Sequence, residues 1–356
     1  MSTYDAIAGL PLTVEAYSLE VLALQLGPEF RRLTTIIRLH GAGHEGVGED
    51  VCYEPAEHET QAAAGPVLPL AGSSTLDGFS RRLDGLDLFH AGPPSWDPSL
   101  DYRRWAFESA ALDLALRQSG ASLADVLGLP LNPVRFVVST RLDDPFGGGQ
   151  PSAERVLRWL RRDPGLRFKL DPTDEWPHEM IRELAGLDAV DVMDMKGQYE
   201  EAPFGIPSEP RTYREIIASF PHALIEDPRL TPELRETLEG HEDRVTWDAP
   251  IHSVDDILGR EWPPRVVNMK PSRFGPLSRL FAAYDHLRDN GIAAYSGGQT
   301  ELGPGRGQVQ YLASMFHPDA PNDIAPSGYN DPEPPDDLLS SPLAVAASPI
   351  GFRWGE

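Results

Sequence analysis

Cysteine is almost missing from this chain. A single one, Cys52, means that no intramolecular disulfide can form and no thiolate-rich metal site can be assembled. A buried, small apolar role is what such a lone thiol predicts. Positive charge is scarce as well: 31 Lys and Arg face 55 Asp and Glu, a net charge of −24. A field of that sign repels phosphate backbones and anionic lipid headgroups. Nucleic acid and membrane surfaces are therefore excluded as expected partners, whereas a small anionic substrate in a local basic pocket is not. No long apolar run occurs, and residues 1–17 lack a basic stretch followed by an apolar one. Neither a membrane span nor a signal segment is expected, and the chain reads as a soluble cytoplasmic protein.

What is present suits a large core. With 356 residues, 40% hydrophobic and 24% charged, the chain has material for about two domains, or one barrel with an addition. Leu-rich and β-branched runs at 17–26 and 33–39, separated by the polar link 27–32, predict a hairpin, followed by a Gly-rich acidic turn. Residues 103–118 place Phe107, Ala111 and Leu114 at helical spacing ahead of Gly120, a ready C-cap. Residues 1–132 thus read as an α+β unit.

From residue 133 onward, short apolar runs alternate with amphipathic segments. Eight runs centre near Phe136, Phe168, Met193, Ile225, Trp247, Met269, Tyr295 and Ile324, the spacing of one strand plus one crossover helix. Thr212 with Glu215 reads as a capping box, and Thr231 before Pro232 as an N-cap. Leu277, Leu280, Phe281, Tyr284 and Leu287 form a core-facing helical stripe that stops at Asn290-Gly291. Prolines crowd the stretch after the last run, so no helix is expected there. The prediction is an α/β protein, a (β/α)7β barrel at 133–330 under the leading unit, with a Pro-rich tail, 331–356, that returns to that unit.

Ionisable residues collect at the C-terminal ends of the predicted strands, where βα barrels build their active sites. The second strand ends Arg167-Phe168-Lys169, the third Asp194-Met195-Lys196, the fourth Glu226-Asp227, the fifth Trp247-Asp248 and the sixth Asn268-Met269-Lys270. Asp194, Glu226 and Asp248 lie on successive strands, so their carboxylates can converge, and three converged carboxylates need a cation. Oxygen donors favour a hard one, Mg²⁺ or Mn²⁺. Lys169 and Lys270, on strands two and six, face one another across a closed barrel. A lysine near a divalent cation and a second ammonium is expected to have a lowered pKa and to serve as a general base.

These residues resemble the enolase superfamily, and within it the muconate lactonizing subgroup. Gly43-His44-Glu45-Gly46-Val47-Gly48-Glu49 is similar to a G-x-x-G-x-G-E turn of that family's capping domain, and 110–116 to the helix before its barrel. Gly297-Gly298-Gln299-Thr300-Glu301 is similar to a stretch at its seventh strand. The resemblance implies Asp194, Glu226 and Asp248 as Mg²⁺ ligands, Lys169 and Lys270 as catalytic residues, and Lys196, Gln299, Glu301 and Arg273 as substrate contacts. It implies removal of the proton α to a substrate carboxylate, followed by racemisation or epimerisation, cycloisomerisation or dehydration.

The sequence departs from the subgroup in four places. Strand two offers one lysine, and a shift by two would put Asp171 in its slot. Lys196 adds a positive charge beside Asp194, fit to bind a second anionic group or to weaken metal binding. Ala249-Pro250 follows the strand-five ligand in place of Glu, and strand seven has no histidine, leaving His252 as a loop residue. Three alternatives stay open at this stage: a dehydratase like o-succinylbenzoate synthase, a metal-binding barrel without catalysis, and a glycosidase built on a carboxylate pair. The expected partners are a small carboxylate and, as an option, a second copy of the chain. The cap segments 43–50 and 72–78 are expected to close over the barrel mouth.

Overall fold

The computed structural model describes residues 2–25, 31–142, 150–198, 209–329, 331 and 335–355. Two small antiparallel sheets begin the chain. β1 (Pro11–Val14) pairs with β5 (Gly72–Thr75), while β2 (Ala16–Gln25), β3 (Arg31–Gly41) and β4 (His44–Asp50) form a meander. The predicted hairpin is the β2–β3 pair, in register from Ala16↔His40 to Gln25↔Arg31. Most of its link falls outside the described residues. β3 turns Leu33, Ile36, Ile37 and Leu39 into the core. The helix Pro98–Ser119 covers the sheet and ends on Gly120, whose φ of 65° is the left-handed geometry of a glycine C-cap.

The Gly-rich segment differs from expectation. Residues 44–50 are strand β4, paired with β3 from Gly41↔His44 to Thr35↔Asp50, and 46–50 are buried. A Cβ on Gly46 would lie 2.3 Å from the Ala110 carbonyl oxygen, and one on Gly48 2.1 Å from that of Ala106. The two glycines therefore exist to let the helix Pro98–Ser119 lie against the strand. A buried strand under a helix cannot swing as a lid, so the expected closure by 43–50 is corrected. Residues 72–75 are likewise held in a strand.

Seven parallel strands follow: β6 (Val138–Thr140), β7 (Phe168–Leu170), β8 (Val190–Asp194), β9 (Leu224–Glu226), β10 (Val245–Trp247), β11 (Val266–Met269) and β12 (Ala293–Ser296). They are ordered strictly by sequence from β6 to β12. The eighth position is not a full strand. Parallel bridges Gly297↔Asp323 and Phe136↔Asn322 close the barrel just before the predicted centre at Ile324. Asn322 completes the seam with its side chain, accepting Ser296 N–H at 2.8 Å and donating to the Arg135 carbonyl at 2.9 Å.

Two helix signals behave as read: Thr231 accepts the Leu234 N–H, and Leu277–Asn290 ends on Gly291. The proposed capping box at Thr212 does not form. Its helix, Pro210–Ser219, starts two residues earlier, with proline at the first turn, and Thr212 Oγ1 donates to Asp174 instead. The C-terminal segment runs back to the leading unit, where Asp113 accepts Phe352 N–H at 2.8 Å and Arg353 Nε at 2.6 Å. Cys52 is fully buried. Among the described residues, no helix is long and apolar enough to cross a membrane.

Candidate active site

Asp194 and Glu226 are paired neighbours at the ends of β8 and β9, and Asp248 directly follows β10. All three are 0–1% exposed, at a depth where an unpaired carboxylate is costly. Basic side chains meet each of them. Lys169 Nζ, from β7, lies 3.0 Å from Asp194 Oδ2, bonds Glu226 Oε1, and is 3.5 Å from Asp323 Oδ2. Lys196 also bonds Asp194 Oδ2 and stands 3.7 Å from Asp171. On the far side, Lys270 Nζ donates to Asp248 Oδ2 at 2.9 Å and Arg273 Nη1 to Asp248 Oδ1 at 2.7 Å.

The strand-two register is now visible. Lys169 points into the carboxylates, and Asp171 faces Lys196 at the rim. Arg167 is turned away to Asp191, with Nε at 2.9 Å. Gln299 and Glu301 lie in the loop after β12. Glu301 is taken up by the Gln299 N–H at 2.7 Å and by Arg306 at 3.0 Å, contacts that shape the loop. His252 lies between the Arg273 and Ala249 carbonyls, 3.1 and 3.0 Å away, as a loop residue.

Three further residues take part, of which only Asp227 was among the ionisable strand ends read from the sequence, without a role. Tyr295, at the end of β12, donates its hydroxyl to Glu226 Oε2. Asp227 accepts the Asp248 and Ala249 N–H groups, both at 2.8 Å, from a left-handed backbone with φ 48°. Asp323 comes from the barrel seam. A compositional signal was available too: the chain has only three lysines, 169, 196 and 270, and all three are here, while the rest of its Lys and Arg total is arginine. An ammonium can give up its proton near neutrality when its surroundings are tuned, and a guanidinium cannot.

The electrostatics are those of a crowded acidic cluster under compensating cations. Burial, then Asp194 and Asp248, push Glu226 well above the usual carboxylate range despite Lys169. Asp194 is driven the other way: Lys169 and Lys196 outweigh its burial. Arg273 and Lys270 do the same for Asp248. Burial with Asp248 alongside raises Asp227 to about 7, and burial raises Asp171 to about 6. Burial alone would lower Lys169, but Asp194 and Glu226 are so close that the ammonium is held well above its ordinary value.

Among the described residues, no three Asp, Glu, His or Cys side chains are gathered tightly enough to hold a metal in the present arrangement. Lys169 stands between Asp194 and Glu226, and Asp248 is bound to Lys270 and Arg273. The donor chemistry nonetheless fits a hard divalent cation. Three buried carboxylates on adjacent strands offer oxygen only, and the raised Glu226 marks a cluster that added positive charge would relieve.

Comparison with known proteins places this geometry. The models of the domain of unknown function DUF8230 match the chain twice, its N-terminal domain over residues 5–126 and its C-terminal domain over 130–331. An N-succinylamino acid racemase of Thermus thermophilus is 25% identical over 346 residues, covering 88% of this chain and 86% of that protein. An enolase-superfamily member from Listeria innocua superposes with a TM-score of 0.65 at 17% identity, over 97% of this chain and 93% of that one. A dipeptide epimerase from Methylococcus capsulatus, complexed with Mg ion, gives 0.63 at 15% identity over 89% and 93%. The chain therefore belongs to the DUF8230 family, and its fold is that of the enolase superfamily, a capping domain on a barrel.

Proposed function

We propose that this protein is an isomerase or lyase that removes the proton α to a substrate carboxylate, with Lys169 and Lys270 on opposite faces of the substrate. The observation that carries this reading is the gathering of the chain's three lysines around three buried carboxylates. Surface charge in this protein is served by arginine, so lysine is reserved for the place where proton transfer is required. The racemase and the epimerase among the similar proteins carry names that fit a reaction with acid–base groups on two faces.

Asp194, Glu226 and Asp248 are the residues that would hold Mg²⁺ or Mn²⁺, which when bound supplies positive charge opposite the substrate carboxylate as the α-proton leaves. Lys270 Nζ takes or returns the proton on one side, released from Asp248. Lys169 Nζ serves the other side, as second acid–base group or as an ammonium that stabilises negative charge. Tyr295 fixes Glu226 by its hydroxyl, and Asp227 fixes the turn carrying Asp248 through two N–H groups. Arg273 and Lys196 add positive charge beside Asp248 and Asp194, suited to an anionic substrate.

The test is α-hydrogen exchange in deuterated buffer with Mg²⁺ and a panel of carboxylates, followed by mass. Lys270→Ala is expected to reduce exchange by about 10² to 10⁴-fold, the usual size of a lost general base, while leaving Mg²⁺ binding nearly intact. Lys169→Ala should block the opposite stereochemical outcome, or slow one committed direction. Exchange persisting in both single variants would remove both lysines from the mechanism.

A further inference from the structure

In the present arrangement the Lys270 ammonium is held by Asp248, whose Oδ2 accepts from Nζ at 2.9 Å, while Arg273 takes Oδ1 at 2.7 Å. Both oxygens of Asp248 are thus engaged. The proposed function requires Lys270 to let go of Asp248, and an ammonium on a residue only 7% exposed needs another acceptor when it does.

Asn268 has the converse deficiency. It lies two residues before Lys270, on β11, so the two side chains leave the same face of the strand. Asn268 is 1% exposed. Its Nδ2 is turned to Glu226 Oε2 at 3.5 Å, and its Oδ1 is buried with no hydrogen-bond partner. Reversing the amide would set oxygen against oxygen at Glu226, so the orphaned atom is the acceptor. Across the gap left by Gly297 the two side chains are neighbours. The position that a Cβ on Gly297 would take is 2.5 Å from Lys270 Cε and 2.9 Å from Asn268 Oδ1. Nζ is joined directly to that Cε, so rotation about the last carbon–carbon bond of the lysine carries it from the Asp248 side toward Asn268 without moving the backbone.

We propose that Asn268 Oδ1 is the second seat of Lys270: when a divalent cation takes Asp248, Nζ turns to Asn268 and donates there, which positions the lysine for proton transfer. This rests on the proposed function and names the positioning residue of its Lys270. The step exchanges one hydrogen-bond acceptor for another and makes or breaks no covalent bond. A nitrogen seated on a carbonyl oxygen has its remaining directions fixed, whereas one without a seat samples them all.

The test exploits the chain's three lysines, which give only three lysine side-chain signals. Protein labelled with ¹³C-lysine and ¹³C-asparagine is titrated with Mg²⁺ alone, and calorimetry fixes saturation for each variant. Lys270 and Asn268 are assigned by loss of signal in Lys270→Met and Asn268→Asp. At saturation the wild-type Lys270 Hε–Cε pair is expected to move and to keep two distinct Hε shifts, the mark of a held ammonium. The Asn268 carboxamide carbon should move downfield as its oxygen gains a donor. In Asn268→Leu the two Hε shifts should merge when Mg²⁺ binds, and Asn268→Asp, which keeps an acceptor oxygen, should retain their separation. A carboxamide carbon that does not respond to bound Mg²⁺ overturns the inference, and this measurement, made in the wild type, stands even if Asn268→Leu does not fold. A Lys270 response identical in wild type and Asn268→Leu overturns it as well, and absence of Mg²⁺ binding overturns it together with the divalent site. Deuterium exchange on the same panel of carboxylates separates the seat from the reaction. Asn268→Leu should lower the exchange rate at saturating substrate about five-fold, as one lost hydrogen bond implies, with KM unchanged, and an unaltered rate denies the positioning role. A carboxamide response without exchange in the wild type keeps the seat and removes enolisation, and exchange without a carboxamide response removes the seat alone.

Discussion

A β-carbon on Gly297 would fall 2.5 Å from Lys270 Cε and 2.9 Å from Asn268 Oδ1. The space that this glycine leaves is the channel through which Lys270 reaches Asp248. Gly297→Ala is therefore expected to push the ammonium aside and cut α-exchange by about 10²-fold, the scale of a 1 Å misplacement, with little change in Tm. A variant as active as wild type would mean that the lysine has another route. His317 makes the second prediction at this scale. Its Nδ1 donates to Asn322 Oδ1 at 2.8 Å, and its Nε2 accepts from Tyr284 at 3.2 Å, so the neutral ring satisfies the seam. Burial lowers its pKa from 6.5 to about 4. The unfolded chain takes up the proton first as pH falls, so stability is present above about 6.5 and is lost on descent toward 4, by about 3 kcal/mol. His317→Gln should flatten that part of the Tm-versus-pH curve, and an unchanged slope would contradict the assignment.

Among elements, β4 does the most joining. Its glycines admit the helix Pro98–Ser119, and its Glu49 accepts N–H groups of Leu302, Gly303 and Gly305 at 2.7, 3.0 and 2.8 Å. Those groups open the helix Pro304–Phe316, whose N-terminal partial charge favours a carboxylate there. One strand thus fastens cap helix, cap sheet and barrel loop. Gly48→Ala would place a Cβ 2.1 Å from a backbone oxygen, a clash that no rotamer relieves, and should cost about 1–3 kcal/mol, seen as a Tm fall of several degrees. An unshifted Tm would show that the helix can lift freely. The motif was legible, but its role was not. Glycine spacing reads equally as a turn or as a close crossing, and only the helix laid across the strand distinguishes them.

At the scale of the molecule, metal binding should stabilise the fold by mass action. Mg²⁺ at 100 times its Kd is expected to add about 2.7 kcal/mol, raising Tm in wild type and not in Glu226→Gln. No Tm response and no heat on calorimetric titration would remove the divalent site from the proposed function.

The placing of Lys169, Asp194, Glu226, Asp248 and Lys270 at strand ends could be read from the chain because strand alternation and strand order are local properties: an ionisable residue closing a short apolar run in a repeating βα pattern is already assigned an end of the barrel. The seven strands and their order were fixed in the same way, by periodicity over a few residues each. Tyr295 and Asp323 were not, since both act across the barrel, on partners 69 positions away for Tyr295 and on the far side of the seam for Asp323. The pKa of Lys169 depended on which charge lay nearest, a matter of ångströms between strands that spacing along the chain does not encode. The clamp of Arg32 on the Val51 and Cys52 carbonyls of the cap and the Gln299 and Thr300 carbonyls of the barrel arises only when the two units meet. Local chemistry chose the strands and the ends that carry charge, and tertiary packing decided which of those groups share an oxygen.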